Sequence, residues 1–305
     1  MVFELDKMWH KPWRMKEGFA IGAGLIITGL ILQFSLGPID WSLFAWPTNI
    51  IVLGIFLLLS GIIYIFRSKV YGFRFLATST CAVPALVMTA ALTIIMGLTA
   101  QVAESSPPAD FFGFTKMLSF WPFVLLYFWI VFILAQVSLV QVSHFKWRRL
   151  PSMVSHLGLL ISLLTATLGS ADMQRLQMYT VLEQTEWRGI NERNMMIELP
   201  IAITLKQFIM ETYDDGSPKR FASDIIIHTK NGDSQQATVD VNKPVEVKGW
   251  KIYQYGYDTA MGAESELSIL ELVRDPWLPY VYTGIYLMLF GALTMLFFGV
   301  RRNKQ

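Results

Sequence analysis

The chain has 305 residues, a net charge of +2, only 16% charged residues and a mean hydropathy of +0.44. Soluble domains carry about 25% charged residues, so this composition argues against an ordinary soluble protein. Cys81 is the single cysteine, which excludes a disulfide framework and a CxxC pair, and disfavours thiol exchange or a zinc ribbon.

Six apolar segments reach the length of about 20 residues that crosses a bilayer. They cover residues 18–36, 48–66, 76–100, 121–142, 152–170 and 277–299, and their cores contain no Asp, Glu, Lys or Arg. The basic stretch 1–16 runs into the first segment without a small-residue cleavage pattern, which predicts an uncleaved anchor rather than a signal peptide.

Lysine and arginine are concentrated on one side of the predicted spans. They occur in residues 1–16, 67–75 and 143–150 and in the C-terminal tail at Arg301, Arg302 and Lys304, whereas 37–47 has none and 101–120 has only Lys116. The positive-inside rule therefore predicts that both termini are cytoplasmic. An even number of spans agrees with this orientation.

Aromatic residues cluster in the loops of the opposite, outer side. Their position predicts an aromatic belt at the membrane interface, and the alternative is a stacking platform for a flat ligand. These residues are Trp41, Trp46, Phe111, Phe112, Phe114, Phe120 and Trp121.

Residues 171–275 differ from the rest because they contain most of the acidic residues and alternate like β-strands. Asn231-Gly232 is a strong hairpin signal, and 214–218 is predicted to form a turn. The predicted strands are 197–208, 221–230, 235–241, 249–257 and 266–273. They favour a small antiparallel sandwich or open barrel on the outer side of the membrane.

The predicted fold is thus a polytopic α-helical membrane protein with six spans and one extracytoplasmic, antiparallel β-sandwich-like domain. Its parts are a four-span region 1–150, a fifth span 151–170, the β domain 171–275, and a sixth span with a basic tail 276–305.

The fifth span contains an ionisable side chain, His156, close to its start. Such a residue inside a membrane span is a functional-site hypothesis by default. On a helix it lies away from a stripe of mostly small residues that favours close helix packing, formed by Ser155, Gly158, Ser162, Thr165 and Gly169. His156 is left as a candidate for a haem iron ligand, a proton path or a hydrogen bond to a neighbouring helix.

The other three histidines are weaker candidates. His144 lies beside the basic cluster at the inner end of the fourth span, as an interfacial residue or as a ligand or proton group. His10 is predicted to be solvated, and His228 to face solvent from a strand. Nucleotide-binding, hydrolase and metalloprotease motifs are absent from the sequence. The basic clusters lie at span ends, so no nucleic-acid partner is expected.

Four ordered motifs resemble the ResB/CcsB family of cytochrome c biogenesis proteins. The first opens the fifth span with His156-Leu-Gly-Leu-Leu, and the third, Val241–Tyr257, is the most specific. The other two are Leu199–Phe208 with Tyr213 and Ser217–Ser223, and Arg274–Gly284. Together they cover about half of the chain.

The resemblance implies a System II haem-delivery role in the bacterial cytoplasmic (inner) membrane, with the β domain on the periplasmic side. It implies that His156 is one axial ligand of haem b within the bilayer. A tryptophan-rich subunit of the CcsA/ResC type is the implied partner, and apocytochrome c receives the haem. This chain would be a non-catalytic subunit of a haem-lyase (cytochrome c synthase) complex, because it has no tryptophan-rich segment of its own.

Two other functions remain open from the residues. One is a b-type cytochrome or quinol-oxidoreductase membrane subunit, in which His144 and His156 would both ligate haem. The other is a structural anchor that docks the outer domain on a membrane complex.

Overall fold

A computed structural model describes residues 9–103 and 106–298. These residues cluster in two compact units. One unit comprises the chain up to residue 171 and from 277 onward, and the other comprises residues 172–276.

The first unit is helical. It contains α1 (Met15–Leu36), α2 (Thr48–Phe66), the short α3 (Tyr71–Phe75), α4 (Ser79–Leu98), α5 (Trp121–Ser143), α6 (Leu150–Gly169) and α7 (Leu278–Phe298). Every helix in this set except α3 is long and apolar enough to cross a membrane, which confirms the six predicted segments. The chain is therefore a multi-pass membrane protein. The predicted orientation also used residues 1–8 and 301–304, which lie outside the described residues.

The α5 helix is the most buried of the six long helices. Leu126 and Trp129 pack in one apolar cluster with residues of α1 and α4, while Val131 and Ala135 pack in another with residues of α2 and α6. Gln136 is buried, and its Nε2 donates to the carbonyl of Ser60 in α2 at 3.0 Å. The amide is thus satisfied in an apolar surrounding, where an unpaired polar group is costly.

Small residues allow α6 and α7 to pack closely. An ideal Cβ on Gly158 would lie 2.5 Å from the carbonyl oxygen of Gly284, and one on Gly284 would lie 2.6 Å from that of Gly158. Ser155 and Ser162 donate to backbone carbonyls of α7 at 3.5 and 3.4 Å. The small stripe of the fifth span therefore packs within the protein at these positions.

The second unit is one antiparallel sheet of eight strands. They are β1 (Gln174–Val181), β2 (Thr185–Ile190), β3 (Met196–Thr212), β4 (Pro218–Thr229), β5 (Ser234–Asp240), β6 (Val245–Val247), β7 (Trp250–Tyr257) and β8 (Leu267–Arg274). Their order across the sheet is β5-β4-β3-β2-β1-β8-β7-β6. The predicted hairpin at Asn231-Gly232 joins β4 and β5, and Gly232 has the positive φ of 88° that such a turn requires.

The sheet curls over a single apolar core. Ser223 in β4 donates to Gln254 in β7 at 2.7 Å, although four strands separate β4 and β7 in the sheet. The core includes Met178, Ile203, Ile225, Ile252 and Leu270, all buried. The antiparallel prediction is confirmed, and the sandwich-like layering comes from one continuous sheet rather than from two separate sheets.

Candidate functional site

His156 lies in the second turn of α6 and is half-buried. Its Nδ1 is 3.0 Å from Oε1 of Gln141, which lies in the last turn of α5. The Nε2 of Gln141 donates to Oγ of Ser152 at 3.3 Å. Three polar side chains thus connect the ends of two membrane helices.

The orientation of the Gln141 amide determines which imidazole nitrogen carries the proton. In the structure the amide oxygen faces His156 and accepts from Nδ1–H, while the amide nitrogen donates to Ser152. A neutral imidazole protonated on Nδ1 keeps its lone pair on Nε2. Among the described residues, no hydrogen-bond partner contacts Nε2 of His156. The arrangement is the one in which a histidine ligates a metal through Nε2 while a neighbour fixes its ring through Nδ1.

The face of α6 that carries His156 packs on α5. Further along this face, the hydroxyl of Tyr127 in α5 donates to the carbonyl of Leu163 at 2.9 Å and lies 2.6 Å from Oγ1 of Thr167. Of the three roles predicted for His156, the hydrogen bond to a neighbouring helix is present. This hydrogen bond leaves Nε2 available for the other two roles, as a ligand of haem iron or as part of a proton path.

Sequence reasoning missed Gln141. One amide near the end of an apolar span forms no motif, and its partner lies 15 residues away across a helix–helix turn. The available signal was its polarity, because an amide in a span needs a hydrogen-bond partner.

His144 follows directly after α5 and is exposed. Its Nδ1 is 2.9 Å from Oγ of Ser143, and the hydroxyl of Tyr64 also donates to that oxygen. His144 and His156 therefore have different partners, and no bond within the described ranges joins them.

His228 is half-buried on the sheet face opposite Ile225 and Ile227, as the strand pattern predicts. Its Nε2 is 3.0 Å from Oγ1 of Thr204, and its Nδ1 is 3.0 Å from Oγ of Ser234. Both nitrogens are engaged, so this histidine is not poised to bind a ligand. The described residues also hold no group of three or more His, Cys, Asp or Glu side chains that could bind a metal ion.

The aromatic loop between α4 and α5 is held by Asp110. Its carboxylate accepts from the backbone N–H groups of Gly113, Phe114 and Thr115 at 2.7–2.8 Å. Partial burial acts to raise the pKa of Asp110, but these bonds and the Thr115 hydroxyl outweigh it and hold the pKa at about 2. The loop presents Phe111 with 83% of its surface exposed. The choice between an aromatic belt and a stacking platform stays a prediction.

Comparison with known proteins shows what this region resembles. Residues 144–269 match the ResB-like family model. Over this range the chain is similar to ResB-like proteins. The family resemblance predicted from the four motifs is confirmed. The ResB-like range contains His144 and His156, and it begins three residues after Gln141.

Curated relatives agree with the family match. The chain is 29% identical over 132 residues to "Cytochrome c biogenesis protein CcsB" of Prochlorococcus marinus subsp. pastoris (strain CCMP1986 / NIES-2087 / MED4), a match covering 42% of this chain and 30% of that protein. It is 27% identical over 112 residues to the protein of the same name from Prochlorococcus marinus strain NATL2A, covering 37% and 25%. The match thus spans less than a third of either relative.

A solved structure named "Cytochrome c Heme Lyase CcmF" aligns with 82% of this chain and 45% of its own, at 13% identity and a TM-score of 0.35. That TM-score is too low to support a conclusion about fold or function.

Proposed function

We propose that this protein binds haem in the membrane through His156 and delivers it for attachment to apocytochrome c. The observation that carries the proposal is the hydrogen bond of His156, a residue of the ResB-like range, to Gln141 of the preceding helix. The biological process is proposed from the curated relatives, since both are named for cytochrome c biogenesis.

The residues present fit one protein contact to haem iron. Nε2 of His156 would be the ligand, Gln141 would hold the ring, and Ser152 would hold Gln141. A bound haem supplies an iron that accepts a nitrogen lone pair and a flat apolar ring that suits a membrane environment. We assign a second contact to the haem to a tryptophan-rich partner subunit of the CcsA/ResC type, which the family resemblance implies.

The proposal includes an orientation. The Lys/Arg-rich ends of the helices are cytoplasmic, so the β domain lies on the periplasmic side of a bacterial inner membrane. His156 then lies toward the inner leaflet, and the haem is attached on the outer side. The chain acts as a non-catalytic subunit of the synthase complex.

Complementation tests the function. In cells lacking this gene, the wild-type chain restores haem-stained c-type cytochromes, and His156→Ala reduces them at least about tenfold. His228→Ala is the matched control, because it removes a histidine whose nitrogens are both bonded within the β domain. Normal cytochrome levels with His156→Ala, at equal membrane abundance, would contradict the proposal.

The same strains distinguish the proposed function from the two alternatives, a quinol-oxidoreductase subunit and a structural anchor. A quinol-oxidoreductase subunit would lose quinol oxidation while c-type cytochromes stay normal. A structural anchor would tolerate His156→Ala but fail when the whole chain is deleted.

A further inference from the structure

A cleft of about 500 Å³ opens where the residues before α1 meet α3. It lies at the end of the helical unit where α1 and α4 begin, which is the end that carries the Lys/Arg clusters. Its lining includes Lys11, Trp13, Tyr71, Arg74 and Phe75. It is separate from the His156 site and has no role in the proposed haem chemistry.

Aromatic packing fixes the walls of the cleft. The Trp13 ring packs edge-on against Tyr71 and Phe75, with centroids 5.2 and 5.3 Å apart. The backbone N–H of Trp13 donates to the Tyr71 hydroxyl at 3.1 Å, and Phe75 is buried. The cleft is thus preformed, which lowers the entropy cost of binding a ligand.

The cleft is cationic. Lys11 Nζ lies 5.1 Å from the centroid of the Tyr71 ring, and Arg74 is exposed. Among the described residues, neither cation has a carboxylate partner. Glu17, the described acid nearest in sequence, is buried, and its carboxylate accepts from the Arg14 backbone N–H at 2.6 Å. No described residue of the lining is an acid, so a bound anion would meet two positive side chains there.

The position of the cleft at the level of the membrane surface points to a membrane ligand. It lies beside the first residues of two membrane-spanning helices, where phospholipid headgroups lie. Basic pockets at the ends of such helices bind anionic headgroups, and Trp and Tyr favour the same depth. We propose that this cleft binds the headgroup of an anionic phospholipid, with Lys11 and Arg74 on its phosphate and the Trp13–Tyr71 wall against its glycerol.

Native mass spectrometry of the full chain in detergent tests the proposal. We expect one tightly held phosphatidylglycerol per wild-type chain and at least about tenfold weaker binding for the double variant Lys11→Gln/Arg74→Gln. The matched control is Arg67→Gln/Lys69→Gln, which removes two charges from the same end of the helices outside the cleft and should change affinity less than about twofold. Lys11→Arg/Arg74→Lys keeps both charges and should retain the lipid, which separates charge loss from misfolding.

Three results would overturn the proposal. Equal losses in the double variant and its control would mean general surface attraction. Equal affinity for phosphatidylcholine would show that the cleft does not recognise the net negative charge of the lipid. Complete displacement by millimolar glycerol phosphate would assign the cleft to a soluble phosphate compound. None of these measurements involves haem or cytochrome c, so their outcome is independent of the His156 proposal.

Discussion

At the scale of single residues, the hydrogen bond from His156 to Gln141 decides what the imidazole can do. It holds the ring on one side and leaves Nε2 with a lone pair. A residue that orients a metal ligand typically contributes about 10- to 100-fold to metal affinity. Gln141 is therefore a positioning residue in the proposed site.

Gln141→Leu should weaken haem binding about tenfold, because the imidazole loses its orienting acceptor while the apolar volume is kept. Ser152→Ala removes only the 3.3 Å bond behind Gln141 and should have a smaller effect. Haem affinity from absorption titration of the purified variants measures both. Unchanged affinity in Gln141→Leu would show that the ring is held by other means.

Arg220 in the β domain bridges two carboxylates. Its guanidinium donates to Asp240 at 2.6 and 3.0 Å and to Glu211 at 2.9 Å. The side-chain bond from Arg220 lowers the pKa of Asp240. This contribution to stability is fully present above the unfolded carboxyl pKa of about 3.9, and it is lost as the pH falls through the lower folded value.

Arg220→Gln should therefore lower the melting temperature at pH 7, and the difference from wild type should be smaller at pH 3. Thermal unfolding of the full chain in detergent, followed by β-sheet circular dichroism, measures this. Arg193→Gln is the control, because Arg193 lies in the β2–β3 turn and forms no ion pair with a described residue. A loss that is equal at both pH values would mean that Arg220 acts by packing.

At the scale of elements, the contact between α6 and α7 depends on Gly158 and Gly284. A Cβ at either position would meet the backbone of the facing helix, which cannot move aside as a flexible side chain can. Overpacking a well-packed contact typically costs about 1–3 kcal/mol.

Gly158→Val should therefore lower the stability of the protein in detergent by about 3 kcal/mol, and Gly61→Val should change it much less. Gly61 also lies in a membrane helix, but a Cβ there would have no atom within 4 Å. The midpoint of denaturant unfolding, followed by helical circular dichroism, measures both. Equal effects would mean that valine itself disturbs these helices.

The long helices could be predicted from sequence because uninterrupted apolar runs of this length are rare outside membrane spans. The strands β1, β2 and β6 could not be predicted from the sequence. Residues 174–181 and 185–190 mix polar and charged side chains with few β-branched ones, and β6 has only three residues. These strands exist because neighbouring strands offer hydrogen bonds, and that tertiary contribution is invisible in a local pattern. The partner of the small stripe was also missed, since Gly284 lies far from Gly158 along the chain.

For the whole molecule, the proposed orientation places the β domain outside and the α2–α3 connection inside. Cysteines introduced at Asp233 and Ser68 test it, because both residues are exposed and the native Cys81 is buried. A membrane-impermeant maleimide added to intact spheroplasts should label Asp233→Cys and leave Ser68→Cys unlabelled until the cells are lysed. The reverse pattern would contradict the positive-inside orientation.

The sequence could single out His156 because an ionisable residue is conspicuous in an apolar span. It could not supply the tautomer, since that depends on Gln141 and Ser152 from two different helices. Nor could it supply the partners of His144, which contacts Ser143 while His156 contacts Gln141.

Imidazole rescue tests whether Nε2 of His156 ligates haem iron. The visible absorption spectrum is recorded for wild type and His156→Ala, each purified from membranes with its bound partners. We predict that the variant loses the histidine-ligated spectrum and that millimolar imidazole restores it, because free imidazole replaces the missing side chain. A wild-type spectrum and haem content in His156→Ala without imidazole would show that His156 is not the iron ligand.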